Sequence, residues 1–437
     1  MKRAHAQYPI FRRFPIGTFD ACTAMRGANL PPSPSNKSWT GDRHCRPVMG
    51  QWNKMPLVPL PRADDPGNPA ELAGLPSTAG DLNSAADIFQ TLEWYALLAR
   101  TALPDGRDAA FLAGDFSGAA VIPLLLPGQH GMRRLEWLSN FYSPAALPLL
   151  APAATLAAAA MLADAASRGE ARADIVDLRP IDPEAPFFMA TIEELRKSGF
   201  WVDRYFCFGN WYLEVGGRSF EEYFATRPSQ MRNTSRRARK KLEARNFAID
   251  VIRSDGSALE EAIGDFERIY LHSWRNRSEP HPEFVPELCR LCAREGWLRL
   301  GVLRLDGLAV AAQIWIVKAG VASIFKLAYL EEYGKQSVGT VLTTELMRRA
   351  IDDDKVAIVD YLSGDDAYKR DWMTHRRERY GIIAFNRARP RGVVAAIRHF
   401  GGRGLRRLTA RLGNRSEAPR LATQRGVAVH IPDNSKD

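Results

Sequence analysis

The stretch DYLSGDDAYK, Asp360 to Lys369, gathers three carboxylates, two phenols and an amine within ten residues. The apolar run VAIVDYL, Val356 to Leu362, leads into it and reads as a buried strand. A turn at Ser363-Gly364 follows, then a short helix from about Asp366. Ligands of α/β folds commonly sit just beyond the carboxyl end of such a strand. At that place Asp360 could accept a proton or orient a nucleophile. Lys369 could neutralise a developing oxyanion or a phosphate. Tyr368 could protonate a leaving group, and Asp365 could contact a substrate. The same residues also suit a plain turn, with Ser363, Asp365 and Asp366 capping the helix, Lys369 solvated and Tyr368 packed. Capping and chemistry are compatible.

A second candidate is EYGKQSVGT, Glu332 to Thr340, between a strand and a long helix. Backbone N–H groups at a helix start, together with the helix dipole, favour an anion such as a pyrophosphate. The residues concerned are Lys335, Gln336, Ser337, Val338, Gly339 and Thr340. Gly334 and Gly339 allow close approach, Ser337 can cap, and Lys335 adds charge. An ordinary capped helix start has the same look. The corresponding loop of the first half, SNFYSPAALPLLAPAA, carries Pro144, Pro148 and Pro152. Proline has no N–H to donate, so the second half is the better phosphate site.

A third group lies in the strand IFKLAYL. A spacing of three puts Lys326 and Tyr329 on opposite faces, one toward the core and one toward a cleft. Gln313, in the neighbouring strand, is polar among apolar residues, and all three are candidates to contact substrate.

Other chemistries find no pattern. There is no G-x-S-x-G elbow and no P-loop. His272 and His281 lack ligand spacing, and Asp352-Asp353-Asp354 reads as a solvated turn, so no metal is expected. Cys289 and Cys292 form a lone C-x-x-C that reads as helical core. Five cysteines in 437 residues are no disulfide framework and fit a reducing compartment, the cytoplasm.

The net charge of +10 is concentrated. Residues 387–437 hold 12 Lys and Arg against 3 Asp and Glu, and residues 232–245 hold 7 against 1. Residues 1–80 hold 10 against 5, which leaves the rest of the chain at −10. Two ends and one helix are basic, not the folded body, which argues against general nucleic-acid binding. The uncharged stretch from Ala145 to Ala163 is mostly alanine with two prolines and reads as a loop and a buried helix, not a membrane span.

The elements that must position these residues follow an α/β pattern. Residues 1–80 are rich in Pro, Gly, Ser and Asn and read as disordered. Met49 or Met55 would serve as the natural start. From about residue 85 a helix, a hairpin near Gly118, a strand, a helix (152–167), a strand (ADIVDL), a helix (187–197) and the strand GFWVDRYFCF succeed one another. The second half repeats this order, with a hairpin at Asp306-Gly307, the strand VASIFKLAYL, a helix from Val338 to Ile351, VAIVDYL and RYGIIAFNRAR. Gly118 matches Gly307, and Ile175 to Leu178 (IVDL) matches Ile358 to Tyr361 (IVDY), at offsets of 189 and 183. Two copies of one unit are expected, 81–220 and 221–390, followed by a basic, disordered tail over 391–437.

The run K-x-A-Y (Lys326 to Tyr329), Y-x-x-x-S-x-G (Tyr333 to Gly339), a helix and D-x-x-x-G-D-x-x-Y-K (Asp360 to Lys369) resembles the acetyltransferase-type domain of CelD-like proteins. These are linked to cellulose and exopolysaccharide biosynthesis and belong to the GCN5-related N-acetyltransferase (GNAT) superfamily. They are similar to FemAB-type aminoacyl transferases, which have two GNAT-like units in tandem. The resemblance covers about residues 85–390 and is strongest over 225–385. It departs at Val338, where the family commonly has proline, a residue that only presets the helix. It implies two tandem GNAT-like units on a mixed α/β sheet and acyl transfer from acetyl-CoA or another acyl-CoA to a small-molecule or glycan acceptor. Its FemAB side implies an alternative donor, aminoacyl-tRNA, gripped by the basic helix. A third alternative is a non-catalytic protein held at the inner face of an anionic membrane by GVVAAIRHFGGRGLRRLTARL, Gly392 to Leu412.

Overall fold

The computed structural model describes residues 57–60, 75–116, 118–169, 171–273 and 279–413. Its strands are β1 (Leu57–Pro59), β2 (Ala109–Asp115), β3 (Ala119–Leu125), β4 (Arg134–Trp137), β5 (Leu149–Leu150), β6 (Ile175–Ile181), β7 (Phe200–Glu214), β8 (Phe247–Ile252), β9 (Leu298–Leu305), β10 (Leu308–Lys318), β11 (Val321–Tyr329), β12 (Ile358–Ser363) and β13 (His375–Asn386). The helices are α1 (Ala79–Ala85), α2 (Leu92–Thr101), α3 (Thr155–Ser167), α4 (Pro186–Lys197), α5 (Phe220–Ala225), α6 (Ser229–Glu243), α7 (Ser257–Leu271), α8 (Phe284–Arg294), α9 (Val338–Arg348), α10 (Ala367–Trp372) and α11 (Pro390–Gly413).

All the strands join one mixed sheet in the order β1-β2-β3-β4-β6-β13-β7-β12-β11-β10-β9-β8, with β5 beside β3. Read from either edge, the order is the same. An antiparallel run (β1 to β4, or β8 to β11) meets one parallel neighbour, β6 against β4 or β12 against β11. The fold is mixed α/β, with two tandem units of the same strand order side by side.

The last strand of each unit crosses to the other. β13 pairs with β6 of the first unit, β7 pairs with β12 of the second, and β7 and β13 pair with each other. Both strands outrun the sequence pattern. Arg376, Arg377, Glu378 and Arg379 lack a hydrophobic alternation, yet they pair along β7 as far as His375, opposite Tyr212. Mutual pairing, not burial of alternate side chains, makes this part of the sheet.

Local chemistry explains the rest. Asp306 and Gly307 both have positive φ (52° and 83°), the requirement of a tight two-residue hairpin turn between β9 and β10. Gly301 of β9 lies so close to α9 that a Cβ there would meet Leu342 and Leu346 at 2.9–3.1 Å. Cys289 and Cys292 are buried on α8, and burial pushes the Cys289 thiol up to about 12. They are core residues, as the sequence suggests.

Three expectations are corrected. The N-terminal segment read as disordered supplies β1, which pairs with β2 and buries Val58 and Leu60, and α1 begins inside it. Met49 and Met55 lie outside the described residues. Residues 390–413 of the tail read as disordered form α11, because Ala396 packs with Ile175 and Phe385. The acidic turn is not simply solvated, since Asp354 is buried in ion pairs with Arg299 (2.8 Å) and Arg253 (3.3 Å). Asp352 accepts the Phe220 N–H at 2.8 Å. No helix among the described residues is long and apolar enough to cross a membrane.

The strand exchange is directly testable. Residues 57–220 and 221–413, expressed separately, would each leave one long strand without partners. Each piece is expected to aggregate, and co-expression is expected to return both to the soluble fraction. Two independently soluble, folded halves would show that the exchange is dispensable.

Candidate active site

β11 and β12 pair for only three residues, Val321–Ser323 with Ile358–Asp360. Beyond that point Ile324 to Tyr329 and Tyr361 to Ser363 have no ladder between them, and the sheet opens. The cause lies in β12. Leu362 has φ of 56°, a costly conformation for a branched side chain, and the β12–β7 register shifts between Asp360 and Ser363.

Asp360 holds that bend. Its Oδ1 accepts from the Leu362 N–H (2.7 Å) and from Asn210 Nδ2 (2.6 Å). Its Oδ2 is ion-paired with Arg377. Asn210 also donates to the Leu362 carbonyl at 2.8 Å, and its own oxygen accepts from Arg377 Nε at 2.6 Å. Lys369 secures the other side of the bend. Its buried ammonium donates to the carbonyl of Ser363 (2.6 Å), with Tyr361 (3.3 Å) and Gly364 (3.4 Å) nearby, and it pairs with Asp366 at 3.4 Å.

These contacts give Asp360 and Lys369 structural partners. The oxygens of Asp360 are held by an amide, a backbone N–H and a guanidinium, so it clamps the bend. Lys369 caps carbonyls of the same bend. Asp365 is bonded to Arg376 (2.7 Å) and the Trp211 indole (2.6 Å), and Arg376 holds its carboxyl below the usual range. Tyr368 is 41% exposed at the mouth of the bend, edge-on to the buried Tyr361.

The second candidate segment lies on the other side of the opening. Glu331–Gln336 forms a 3-10 turn, and Ser337 then turns the chain with φ of 55° before α9 starts. Ser337 makes no side-chain cap, contrary to expectation. Its carbonyl accepts the Val341 N–H at 3.1 Å, so the N–H groups before Val341 belong to the uncapped first turn. Val338 is buried, Gly339 and Thr340 are half-buried, and Lys335 is exposed. A Cβ on Gly339 would sit 3.1 Å from the Tyr329 ring, so the strand and the helix start meet closely there. Gln336 accepts from Arg245, just past the end of α6, at 3.2 Å.

Gln313 is 1% exposed and donates to the Gly339 carbonyl (3.1 Å) and Thr343 (2.8 Å), while accepting from the Trp315 indole (3.0 Å). It bolts the first turn of α9 to β10 and is not placed to touch a substrate, which corrects that expectation.

Lys326 and Tyr329 do stand on opposite faces, Tyr329 against Gly339 and Lys326 elsewhere. A bulge at Phe325 turns Phe325 and Lys326 to one side. Lys326 pairs there with Glu279 at 2.5 Å and lies over the rings of Tyr270 and Tyr142. The Tyr142 hydroxyl donates to the other oxygen of Glu279 at 2.7 Å, and burial first, then Glu279, pushes that phenol well above its usual range. Tyr142 belongs to the proline-rich loop of the first unit.

Asp87 completes the region. It accepts the Phe89 N–H at 3.0 Å, and the Phe89 ring stacks on Phe325. Burial, reinforced by the charge of Asp360, pushes its carboxyl up to about 6, against the pull of the Phe89 N–H, Arg377 and Lys318. Sequence reasoning missed Asp87, Tyr142, Asn210, Glu279 and Arg377. None lies in a local motif, and only the strand exchange and the packing of the first unit bring them to this opening.

Residues 229–370 match the family model described as an acetyltransferase (GNAT) domain. That segment runs from α6 into α10 and so contains the opening, the start of α9 and Lys369. The matched region is thus similar to an acetyltransferase (GNAT) domain. No curated protein matches the chain. Among solved structures, the chain is similar to FemX (14% identity, 70% of this chain and 94% of that one, TM-score 0.49). It is also similar to the C-terminal domain of a protein named as a lysylphosphatidylglycerol synthetase from Agrobacterium fabrum (13%, 73% and 94%, TM-score 0.48). A tandem GNAT protein from the clavulanic acid biosynthesis pathway is 14% identical over 75% and 97% of the two chains, with a TM-score of 0.42.

Two measurements test this geometry. Asp360→Ala leaves Arg377 and the Leu362 N–H without their acceptor and is expected to cost about 3–5 kcal/mol in denaturant unfolding. Tyr368→Phe, at an exposed position, is expected to change stability by about 0.5 kcal/mol or less. The sign for Asp87 follows from its raised pKa. The folded state binds the proton more tightly than the unfolded chain, so this group favours folding most below its unfolded pKa of about 4. That contribution falls as pH rises toward about 6. Asp87→Asn is expected to remove this part of the decline in melting temperature, and parallel wild-type and variant curves would refute it.

Proposed function

We propose that the chain transfers an acyl group from acetyl-CoA or another acyl-CoA to an amine or hydroxyl of a small-molecule or glycan acceptor, in polysaccharide or cell-envelope biosynthesis. The observation that carries this reading is the opening between β11 and β12 in front of an uncapped helix start. Val338, Gly339 and Thr340, in the first turn of α9, offer backbone N–H groups to the pyrophosphate, while the Ser337 N–H is already donated to the Gly334 carbonyl at 3.0 Å, and the dipole of α9 adds to the attraction. Gly339 leaves room that a side chain would take. The edge of β11 beyond Ser323, where its ladder to β12 has ended, can hydrogen-bond the amide-bearing arm of the donor as a neighbouring strand would.

In the reaction, the acceptor nitrogen or oxygen attacks the thioester carbonyl, the C–S bond breaks, and the sulfur leaves as thiolate. The acceptor gives up one proton and the thiolate gains one. Asp87 is the group assigned to take the acceptor's proton, because a carboxyl of pKa about 6 is mostly ionised near neutrality and still basic enough to serve. Tyr368, at the mouth, is assigned to the thiolate. Lys326, Glu279 and Tyr142 form a charged, aromatic-walled group that supports a polar acceptor.

One feature of α6 favours testing a second donor. Met231, Ser235, Ala238 and Leu242 are buried on one side of this helix, whereas Arg236, Arg237, Lys240 and Lys241 are exposed on the other. Through Arg245 and Gln336 the helix adjoins the start of α9. A row of cations there would suit the phosphates of an aminoacyl-tRNA.

Calorimetric titration with CoA and acetyl-CoA distinguishes the donors. Wild type is expected to bind both, and Gly339→Glu, checked for an unchanged melting temperature, is expected to bind neither. Absence of CoA binding together with salt-sensitive tRNA binding that Lys240→Glu weakens would replace the CoA reading with the tRNA one.

A further inference from the structure

We infer that α11 is an interfacial helix that docks the protein on an anionic phospholipid surface. One side of the helix is fixed to the body. Ala396 is buried against Ile175 and Phe385. His399 pairs with Asp203 at 2.7 Å, and the Phe385 ring lies against His399 and Phe400. The other side is bare. Val394 and Ile397 are 46% and 65% exposed, and Phe400, at the edge where the bare side meets Phe385, is 40% exposed.

The charge around this apolar row is of one sign. Pro390–Gly413 contains six arginines (391, 398, 403, 406, 407 and 411) and no acidic residue. The first of them, Arg391, bonds the Gly131 carbonyl. That contact sets the helix beside Met132, which is exposed, and an open cleft of about 560 Å³ lined by Arg133, Arg168, Gly169 and Arg172.

These features choose among occupants. A nucleic acid would satisfy the arginines and leave Val394, Ile397 and Phe400 in water. A second copy of the helix would cover the apolar row but bring together two helices whose charges are all of one sign. A bilayer with anionic headgroups satisfies both, because apolar side chains enter the acyl boundary while arginines stay at the phosphates. The helix does not span the membrane but lies on it. The inference stands apart from the choice of acyl donor, since no residue of the opening takes part.

The test is cosedimentation of the full chain with phosphatidylcholine vesicles, with and without about one third phosphatidylglycerol. Wild type is expected to pellet only with the anionic vesicles and to be released by high salt. Val394→Asp/Ile397→Asp changes exposed positions and is expected to keep the melting temperature while lowering partitioning about tenfold or more. Ile397→Trp is expected to shift its fluorescence to the blue on adding anionic vesicles. Wild type left in the supernatant overturns the inference. So does binding that the double variant retains in full, or a dimer in light scattering that the double variant splits while vesicles bind neither form.

Discussion

The carboxylate of Asp360 is the point on which this site turns. It accepts from Leu362 N–H and Asn210 while pairing with Arg377, and so holds β12 in a conformation that a leucine would otherwise avoid. Because the strand bends there, its ladder to β11 ends after three residues. An opening in a sheet exposes backbone groups that would ordinarily pair, which is costly unless something uses them. The first turn of α9 stands beside the same opening, bolted to β10 by Gln313. A strained bend, an unpaired stretch and an uncapped helix start therefore form one arrangement.

That arrangement is assembled from both units. Asn210 comes from β7, the last strand of the first unit, and Arg377 from β13, the last strand of the second. They meet because each strand crosses to the other half of the sheet. Asp87 and Tyr142 are also contributed by the first unit, through the turn before α2 and the proline-rich loop. The proline-rich loop lacks N–H groups at Pro144, Pro148 and Pro152, but it carries a phenol to Glu279. The two copies thus play different parts. The second supplies the helix start and the bend, and the first supports it.

Much of the fold was legible in order and type. The Asp306-Gly307 hairpin, the buried strands of the second unit and the long helix α9 followed from turn chemistry and apolar periodicity, both of which act within a few residues. The matching IVDL and IVDY runs correctly paired β6 with β12 as equivalents. The charged part of β13 was not legible, because a strand stabilised by its neighbour's backbone needs no apolar alternation. Nor was the helical start of the tail, where Ala396 and His399 find partners only on the folded sheet.

The sequence by itself determined the residue types at the mouth of β12, the glycines at the start of α9 and the placement of positive charge on one helix and two ends. Those are properties of short segments, and the motif they form resembles the CelD-like family, a resemblance that implies acyl transfer. The tertiary structure decided which of those residues are available. Asp360 and Gln313 look reactive as a string of letters, but their lone pairs and protons are taken by groups 150 and 30 residues away. Hydrogen-bond partners at that separation depend on strand order and register. A local motif cannot encode them, and they alone separate a clamp from a catalyst.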